Sequence, residues 1–86
     1  MPASLTIDDR LIEGVVLDIS RDGAKFAATD TFATGSAVIL VMDDVAVPAL
    51  VHWSEGGHTG LRFLDRLDSA TLLTVEQAAD MLAPFR

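Results

Sequence analysis

The stretch Asp18-Ile19-Ser20-Arg21-Asp22-Gly23-Ala24-Lys25-Phe26-Ala27-Ala28 decides which fold to expect. Its first six residues have the composition of a turn, because Asp and Ser side chains bond to nearby backbone groups and Gly is conformationally free. The last five alternate in character: Phe26 stands between two alanines on one face of a strand, and Lys25 lies on the other. The stretch therefore predicts a polar loop that leads into a half-buried β-strand.

Short apolar runs continue on both sides of this stretch, separated by turn signals such as Asp8-Asp9, Asp43-Asp44 and Gly56-Gly57. Runs of this length, rich in Val, Ile, Leu and Phe and bounded by Asp, Gly and Ser, are typical of strands. We expect six strands, at residues 5–7, 11–17, 24–28, 37–42, 45–53 and 59–64.

Particular residues predict local features of these strands. Gly14 predicts a bulge or a sharp bend, and Pro48, which has no amide hydrogen, places the N-terminal half of its strand at an edge or on a bulge. Residues 37–42 are apolar at every position, which predicts a strand buried on both faces. In the loop before that strand, we expect Phe32 to point inward and Gly35 to turn the chain.

The end of the chain changes from a period of two to a helical period. Asp68 is one candidate N-cap, Thr74 with Gln77 as a capping box is another, and Pro84 is expected to end the helical region. The apolar positions at helical spacing are Leu72, Val75, Ala79 and Leu82. We expect this stripe to cover one open end of the β-structure, within a single domain over residues 1–86.

The composition excludes several classes of function. A formal charge of −7 disfavours DNA and RNA polymers and anionic membrane surfaces, which require Lys and Arg. No apolar run is long enough to span a bilayer, and no secretory signal is visible. The chain has no cysteine, which is compatible with a cytoplasmic location. Half of the residues are apolar, and a core this small cannot hide them all, so we expect a protein partner or a homodimer.

Several of these features together resemble the PilZ domain family. Residues Asp18, Ser20 and Gly23 match the family's DxSxxG signature, and they fall between the second and third strands as in the family. Downstream, Val51-His52-Trp53 and Gly60-Leu61-Arg62-Phe63 are similar to the family's strand-turn-strand that ends in Gly-x-x-Phe. The resemblance covers residues 11–67. It implies an all-β fold, a six-stranded PilZ-like β-barrel with a C-terminal helical region.

The resemblance also implies a function connected with cyclic di-GMP, the bacterial second messenger that PilZ domains sense. Binding members combine the DxSxxG loop with an N-terminal RxxxR arm, whose guanidinium groups grip phosphates and guanine edges. This chain contains the loop but no RxxxR: four positions after Arg10 stands Gly14, and four before it stands Thr6. The residues carried over as candidates are Asp18, Ser20 and Gly23, with Arg21 inside the loop and Arg10 as the single arginine before it.

Two interpretations of the loop follow. In the first, Asp18, Ser20 and Gly23 form a structural turn, Gly23 being required for folding if its φ is positive. The chain is then a non-enzymatic regulatory or interaction module that binds cyclic di-GMP weakly or not at all on its own. In the second, the chain is a working cyclic di-GMP receptor with an unusual arginine arm. The missing arm favours the first interpretation.

Metal and enzyme chemistry find little support in the sequence. His52, Glu55 and His58 have the spacing H-x-x-E-x-x-H, but a hairpin rim with exposed histidines is the commoner outcome, and we expect no metal site. There is no Cys or Tyr, no Gly-x-Ser-x-Gly and no Gly-rich phosphate loop, so we expect no catalytic residues and no cofactor. Trp53 is expected to be an aromatic of the barrel wall or of an interface.

Overall fold

In the computed structural model, residues 1–68, Ala70, Thr71 and Leu73 are described. They contain six antiparallel strands that close into a barrel in the order β1-β2-β3-β6-β5-β4, with β4 paired back onto β1. The expected six-stranded barrel is confirmed; three of the strands have the expected length, and the first, second and fifth are two or three residues longer. The strands are β1 (Pro2–Ile7), β2 (Arg10–Ile19), β3 (Gly23–Ala27), β4 (Ala37–Met42), β5 (Val45–Glu55) and β6 (His58–Phe63).

Tight turns with positive φ connect the hairpins, as the turn signals in the sequence predict. Asp8 and Asp9 have φ of 48° and 65°, and Gly56 and Gly57 have φ of 60° and 81°. Two consecutive positive φ values are required by the hairpin turn whose twist matches that of paired strands. The longer β3–β4 connection places Phe32 in the core and turns at Gly35, whose φ is 88°. Both expectations for this loop are confirmed.

The core fills the barrel with one side chain in two from each strand. Phe26, Leu5, Leu40 and Met42 are completely buried. Thr59 is the one polar residue buried in the described part of the chain. Its hydroxyl lies 2.9 Å from that of Ser54, whose oxygen also accepts a hydrogen bond of 3.0 Å from the amide of Phe32. This short chain of bonds satisfies the polar groups and anchors the β3–β4 loop to β5.

Strand β4 differs from the expectation that it is buried on both faces. Val38, Leu40 and Met42 point into the barrel, whereas Ile39 on the opposite face is 43% exposed. The prediction was wrong because a small closed barrel has a single core on its inside, so an apolar outer face remains on the surface. The apolar outer positions of β4 and β5 thus add to the exposed apolar surface.

Gly14 and Pro48 mark different features from each other. Gly14 is not the bulge: the register shift of β2 lies between Val16 and Asp18, and a Cβ at Gly14 would collide with the carbonyl oxygen of Ala27. Gly14 therefore allows β2 and β3 to approach each other closely.

Pro48 lies in the part of β5 that pairs with β4 alone, since the pairing of β5 with β6 begins at Ala49. The expectation of an edge at Pro48 is confirmed.

A helical turn begins after Asp68, one of the two expected N-caps. The Asp68 carboxylate accepts a hydrogen bond of 2.7 Å from the amide of Thr71, and Ala70, Thr71 and Leu73 are helical. This bond lowers the pKa of Asp68, because it stabilises the charged form. The other candidate cap at Thr74 and Gln77, the apolar stripe from Leu72 onward and the expected end at Pro84 lie outside the described residues.

Candidate ligand site

The loop between β2 and β3 is a tight turn closed by its own serine. The amide of Ser20 donates a hydrogen bond of 2.9 Å to the carbonyl of Gly23. The Ser20 hydroxyl also lies 3.4 Å from that carbonyl, and it accepts a bond of 3.4 Å from the amide of Asp22. Ser20 thus holds the turn together while its side chain remains exposed.

Gly23 is required by a close contact and not by a positive φ. It is the first residue of β3, where it pairs with Arg62 of β6. A Cβ at this position would collide with the carbonyl oxygen of Leu61. The positive-φ glycines of the described chain are Gly35, Gly56 and Gly57, so the proposed reason for Gly23 was wrong. Glycine is needed because the backbones of β3 and β6 approach each other here more closely than a side chain allows.

The motif residues line an open cleft on the outer surface of the barrel. Asp18, Ser20 and Gly23 all border it, and its volume is about 310 Å³. The floor is formed by β3 and β6, which contribute Lys25 and Arg62. The structure therefore brings three of the five candidate residues together, and adds residues from strands that are distant in sequence.

Trp53 forms the far wall of this cleft. It pairs with Gly60 across β5 and β6, and a Cβ at Gly60 would collide with the indole ring. The ring therefore covers the bare backbone of Gly60 and remains 39% exposed. Trp53 lies on the outside of the barrel, at the cleft, so an aromatic face is available to a flat ligand.

The charges around the cleft balance. Asp18 is paired in register with Lys25, and Arg62 stands opposite Gly23. Asp22 is held by an ion pair of 2.8 Å with Arg66, although both side chains are about two-thirds exposed. Two carboxylates and two cations therefore line the cleft, which has no excess positive charge to attract a phosphate-bearing ligand.

Comparison with protein families matches the PilZ domain over residues 1–79. This chain belongs to the PilZ domain family. PilZ domains are modules of cyclic di-GMP-related signalling that bind ligands or partner proteins, and they act as adaptors rather than enzymes. Comparison with curated proteins gives no match.

The arginines closest to the signature in sequence do not line the cleft of this PilZ domain. Nε of Arg21 donates a bond of 3.3 Å to the carbonyl of Leu67, and neither residue lines the cleft. Arg10 stands at the turn between β1 and β2, at the opposite end of β2 from Asp18. Asp18 is eight residue steps along the strand from Arg10, a separation of roughly 26 Å at about 3.3 Å per step.

The N-terminal residue lies beside the motif end of β2. The α-amino group of Met1 donates a bond of 3.2 Å to the carbonyl of Val16, and the amide of Val16 donates one of 2.7 Å to the carbonyl of Met1. Val16 immediately precedes the bulge that leads to Asp18. The start of β1 is therefore near the cleft, whereas Leu5, further along β1, is fully buried.

The three residues with metal-like spacing do not converge. His52 borders the cleft at the bulge of β5, while Glu55 and His58 are paired beside the β5–β6 turn. Among the residues that the structure describes, no group of three His, Asp or Glu side chains is placed to hold a metal ion. No helix in the same part of the chain is long and apolar enough to cross a membrane.

Sequence reasoning missed Lys25, Arg62 and Trp53 as neighbours of the motif. Alternation in β3 and β6 does place Lys25 and Arg62 on the face opposite Phe26 and the other core residues. The sequence does not show that β3 pairs with β6. This pairing makes the outer faces of the two strands one continuous surface. The signal that could have identified Lys25 and Arg62 is that both cations occupy outward positions, on strands that are neighbours in the sheet.

Proposed function

We propose that this PilZ domain is a non-enzymatic interaction module that binds cyclic di-GMP weakly or not at all on its own and acts through protein contacts. The observation that supports this proposal is the position of its arginines. Arg21 is bonded to Leu67, which does not line the cleft, and Arg10 lies at the other end of β2. A ligand in the cleft would therefore meet the DxSxxG loop without the pair of guanidinium groups that binding members use.

The expected loss of affinity is large. Each bidentate contact between arginine and guanine contributes about 1–3 kcal/mol of discrimination. At about 1.4 kcal/mol per factor of ten, losing two such contacts weakens binding by about 30-fold to 10⁴-fold. The balanced charges of the cleft do not compensate for this loss of affinity. The overall charge of −7 weakens binding further, since it repels a dianionic ligand.

A specific observation favours a second candidate, a receptor that uses other cations. Lys25 and Arg62 share the cleft with Asp18 and with the exposed ring of Trp53. Stacking of a base on an aromatic side chain is worth about 1–3 kcal/mol. In this alternative, Lys25 and Arg62 hold the phosphates while Trp53 stacks on a guanine.

Calorimetric titration with cyclic di-GMP separates the two functions. The main proposal expects no measurable heat at micromolar concentrations. The receptor function expects micromolar binding that is lost in the double variant Lys25→Gln with Arg62→Gln. Arg10→Gln is the matched control, since it removes a cation far from the cleft and should change nothing. Micromolar binding by the native chain would refute the main proposal.

The proposed protein contacts are supported by apolar side chains on the outer face of the barrel. Leu11, Leu17 and Leu64 are each more than half exposed, and Ile39 and Leu50 are exposed by 43% and 36%. Burying side chains of this size against a partner is favourable by about 25 cal/mol per Å². We propose that the protein makes these contacts in the cytoplasm. A chain without cysteine has no disulfide to form, so it does not need an oxidising compartment.

A further inference from the structure

The signature loop is bonded to the segment that follows β6, residues 64–68, which does not line the cleft. Arg21 and Leu67 are joined twice: the amide of Leu67 donates a bond of 2.8 Å to the carbonyl of Arg21, and Nε of Arg21 donates one of 3.3 Å to the carbonyl of Leu67. Leu67 itself is only 7% exposed and belongs to the core. One residue of the loop is therefore fixed to a buried point of the following segment.

Asp22, the next residue of the loop, is bonded both to the last residue of β6 and to the segment that follows it. Its carbonyl accepts a bond of 2.8 Å from the amide of Phe63, the last residue of β6. Its carboxylate forms the ion pair of 2.8 Å with Nε of Arg66. Four contacts thus join two adjacent loop residues to the six residues 63–68, and the last of these six, Asp68, caps the helical turn at Ala70 and Thr71.

We propose that Arg66 and Leu67 are positioning residues for the cleft: they keep Arg21 outside it, fix Asp22 at its rim, and so couple the cleft to the start of the C-terminal helical turn. An occupant that draws Arg21 or Asp22 into the cleft has to release contacts to residues 63–68. By reciprocity, a change at the helical turn alters the loop that the occupant meets. The proposal rests on the proposed function only in taking the cleft as the place of binding.

Amide hydrogen exchange in the full chain, followed by NMR, tests the coupling without any ligand. Arg66→Gln removes the ion pair from an exposed position and should leave the fold intact. Exposed ion pairs are worth about 0.2–1 kcal/mol, so the amides of Leu67 and Phe63 should exchange about 1.4- to 5-fold faster. Arg66→Glu should have a larger effect, because it places two carboxylates together, and Arg66→Lys should restore most of the protection.

Three controls make the result specific. Arg10→Gln removes the same charge at the far end of β2 and should change neither amide. In an Asp22→Asn background, Arg66→Gln should lose its effect. The amides of Phe26 and Leu40 report on the whole barrel and should exchange at unchanged rates.

The opposite direction of the coupling is tested from the loop. Arg21→Gln removes the bond to the Leu67 carbonyl, and it should shift the amide resonance of Thr71 and the indole resonance of Trp53.

Unchanged exchange at Leu67 and Phe63 in Arg66→Glu would overturn the proposal, as would an acceleration shared equally by Phe26 and Leu40. Tight binding of cyclic di-GMP by the native chain would refute the proposed function but would leave these exchange rates unaffected.

Discussion

Replacing Gly23 with alanine should destabilise the barrel through a steric contact. The new Cβ would fall on the carbonyl oxygen of Leu61, and this atom belongs to a strand paired with β3, so it cannot rotate away. Over-packing of this kind costs about 1–3 kcal/mol. Alanine also restricts the unfolded chain, which offsets about 0.4–1 kcal/mol of the loss. Taking the middle of each range leaves a net loss of about 1.3 kcal/mol, which corresponds to a fall in Tm of roughly 5–10 °C for a domain of this size.

Gly35 provides the matched control for this prediction. Its φ is +88°, and a Cβ there would meet no atom within 4 Å, so the cost of alanine is conformational. Asparagine tolerates positive φ better than alanine does, so Gly35→Asn should be more stable than Gly35→Ala. At Gly23 the cause is a contact, and Gly23→Asn should be no better than Gly23→Ala. Thermal unfolding followed by circular dichroism measures all four variants. A Gly23→Ala protein that melts with the wild type, or a Gly23→Asn protein that recovers, would refute the steric explanation.

Three further predictions concern association, acid stability and ligand binding. Sedimentation should show a homodimer or a stable complex with a partner, and Ile39→Lys with Leu50→Lys should abolish it without lowering Tm; a clean native monomer with no partner recovered in a pull-down would contradict this. The folded-state pKa of Asp68 is lowered, so its stabilising contribution is present above the unfolded-state pKa of about 3.9 and is lost as pH falls through the lower folded value. Asp68→Asn keeps an N-cap that does not titrate, so its Tm should differ from that of the wild type in a pH-dependent way only in this acid range. An RxxxR extension grafted before Met1 should create cyclic di-GMP binding that weakens with salt and disappears in Asp18→Ala; a folded graft that does not bind would show that the loop is only a structural turn.

The position of that graft shows what the structure adds to the sequence. The sequence predicts a first strand at residues 5–7, and on that prediction alone the arm would be joined directly ahead of Leu5. In the structure β1 begins at Pro2, Leu5 is fully buried in its middle, and Met1 is bonded to Val16. An extension joined at Met1 starts next to the end of β2 that carries Asp18, whereas one joined at Leu5 would destroy the pairing of β1.

The strands of the barrel were predictable because each is encoded locally. Turn residues such as Asp8-Asp9 and Gly56-Gly57 adopt the positive φ values that their hairpins need, and apolar runs between them have strand composition. The error at β4 arose because composition does not show how many faces a strand buries. Ile39 is as apolar as Leu40, and only closure of the sheet into a barrel makes one of them inner and the other outer.

The neighbours of the motif were less predictable because they depend on pairing between strands. Lys25 reaches the cleft only because β3 pairs with β6, and Arg62 because its position faces Gly23. Long-range register of this kind has no local signal in the chain. The direction of Arg21 depends on Leu67, which is 46 residues away in sequence. The motif places Arg21 beside Asp18 and Ser20 in sequence, but its tertiary contact with Leu67 keeps its side chain out of the cleft lining.

Two β-bulges place the cleft's key side chains on the outside of the barrel. In β2 the partners are Val16 with Phe26 and then Asp18 with Lys25, so Leu17 is the extra residue. In a regular ladder of the same residues, Leu17 would pair with Lys25, and Asp18 would fall on the inner face. In β5 the register shifts between Val51 and Trp53, with Trp53 opposite Gly60. In a regular ladder of the same residues, His52 would pair with Gly60, and Trp53 would pair with the buried Thr59. Each bulge thus moves one cleft residue from the core face to the surface, and strict alternation would misplace both. The two bulges interrupt the alternation of inner and outer residues in β2 and β5, and they thereby bring Asp18 and Trp53 to the cleft.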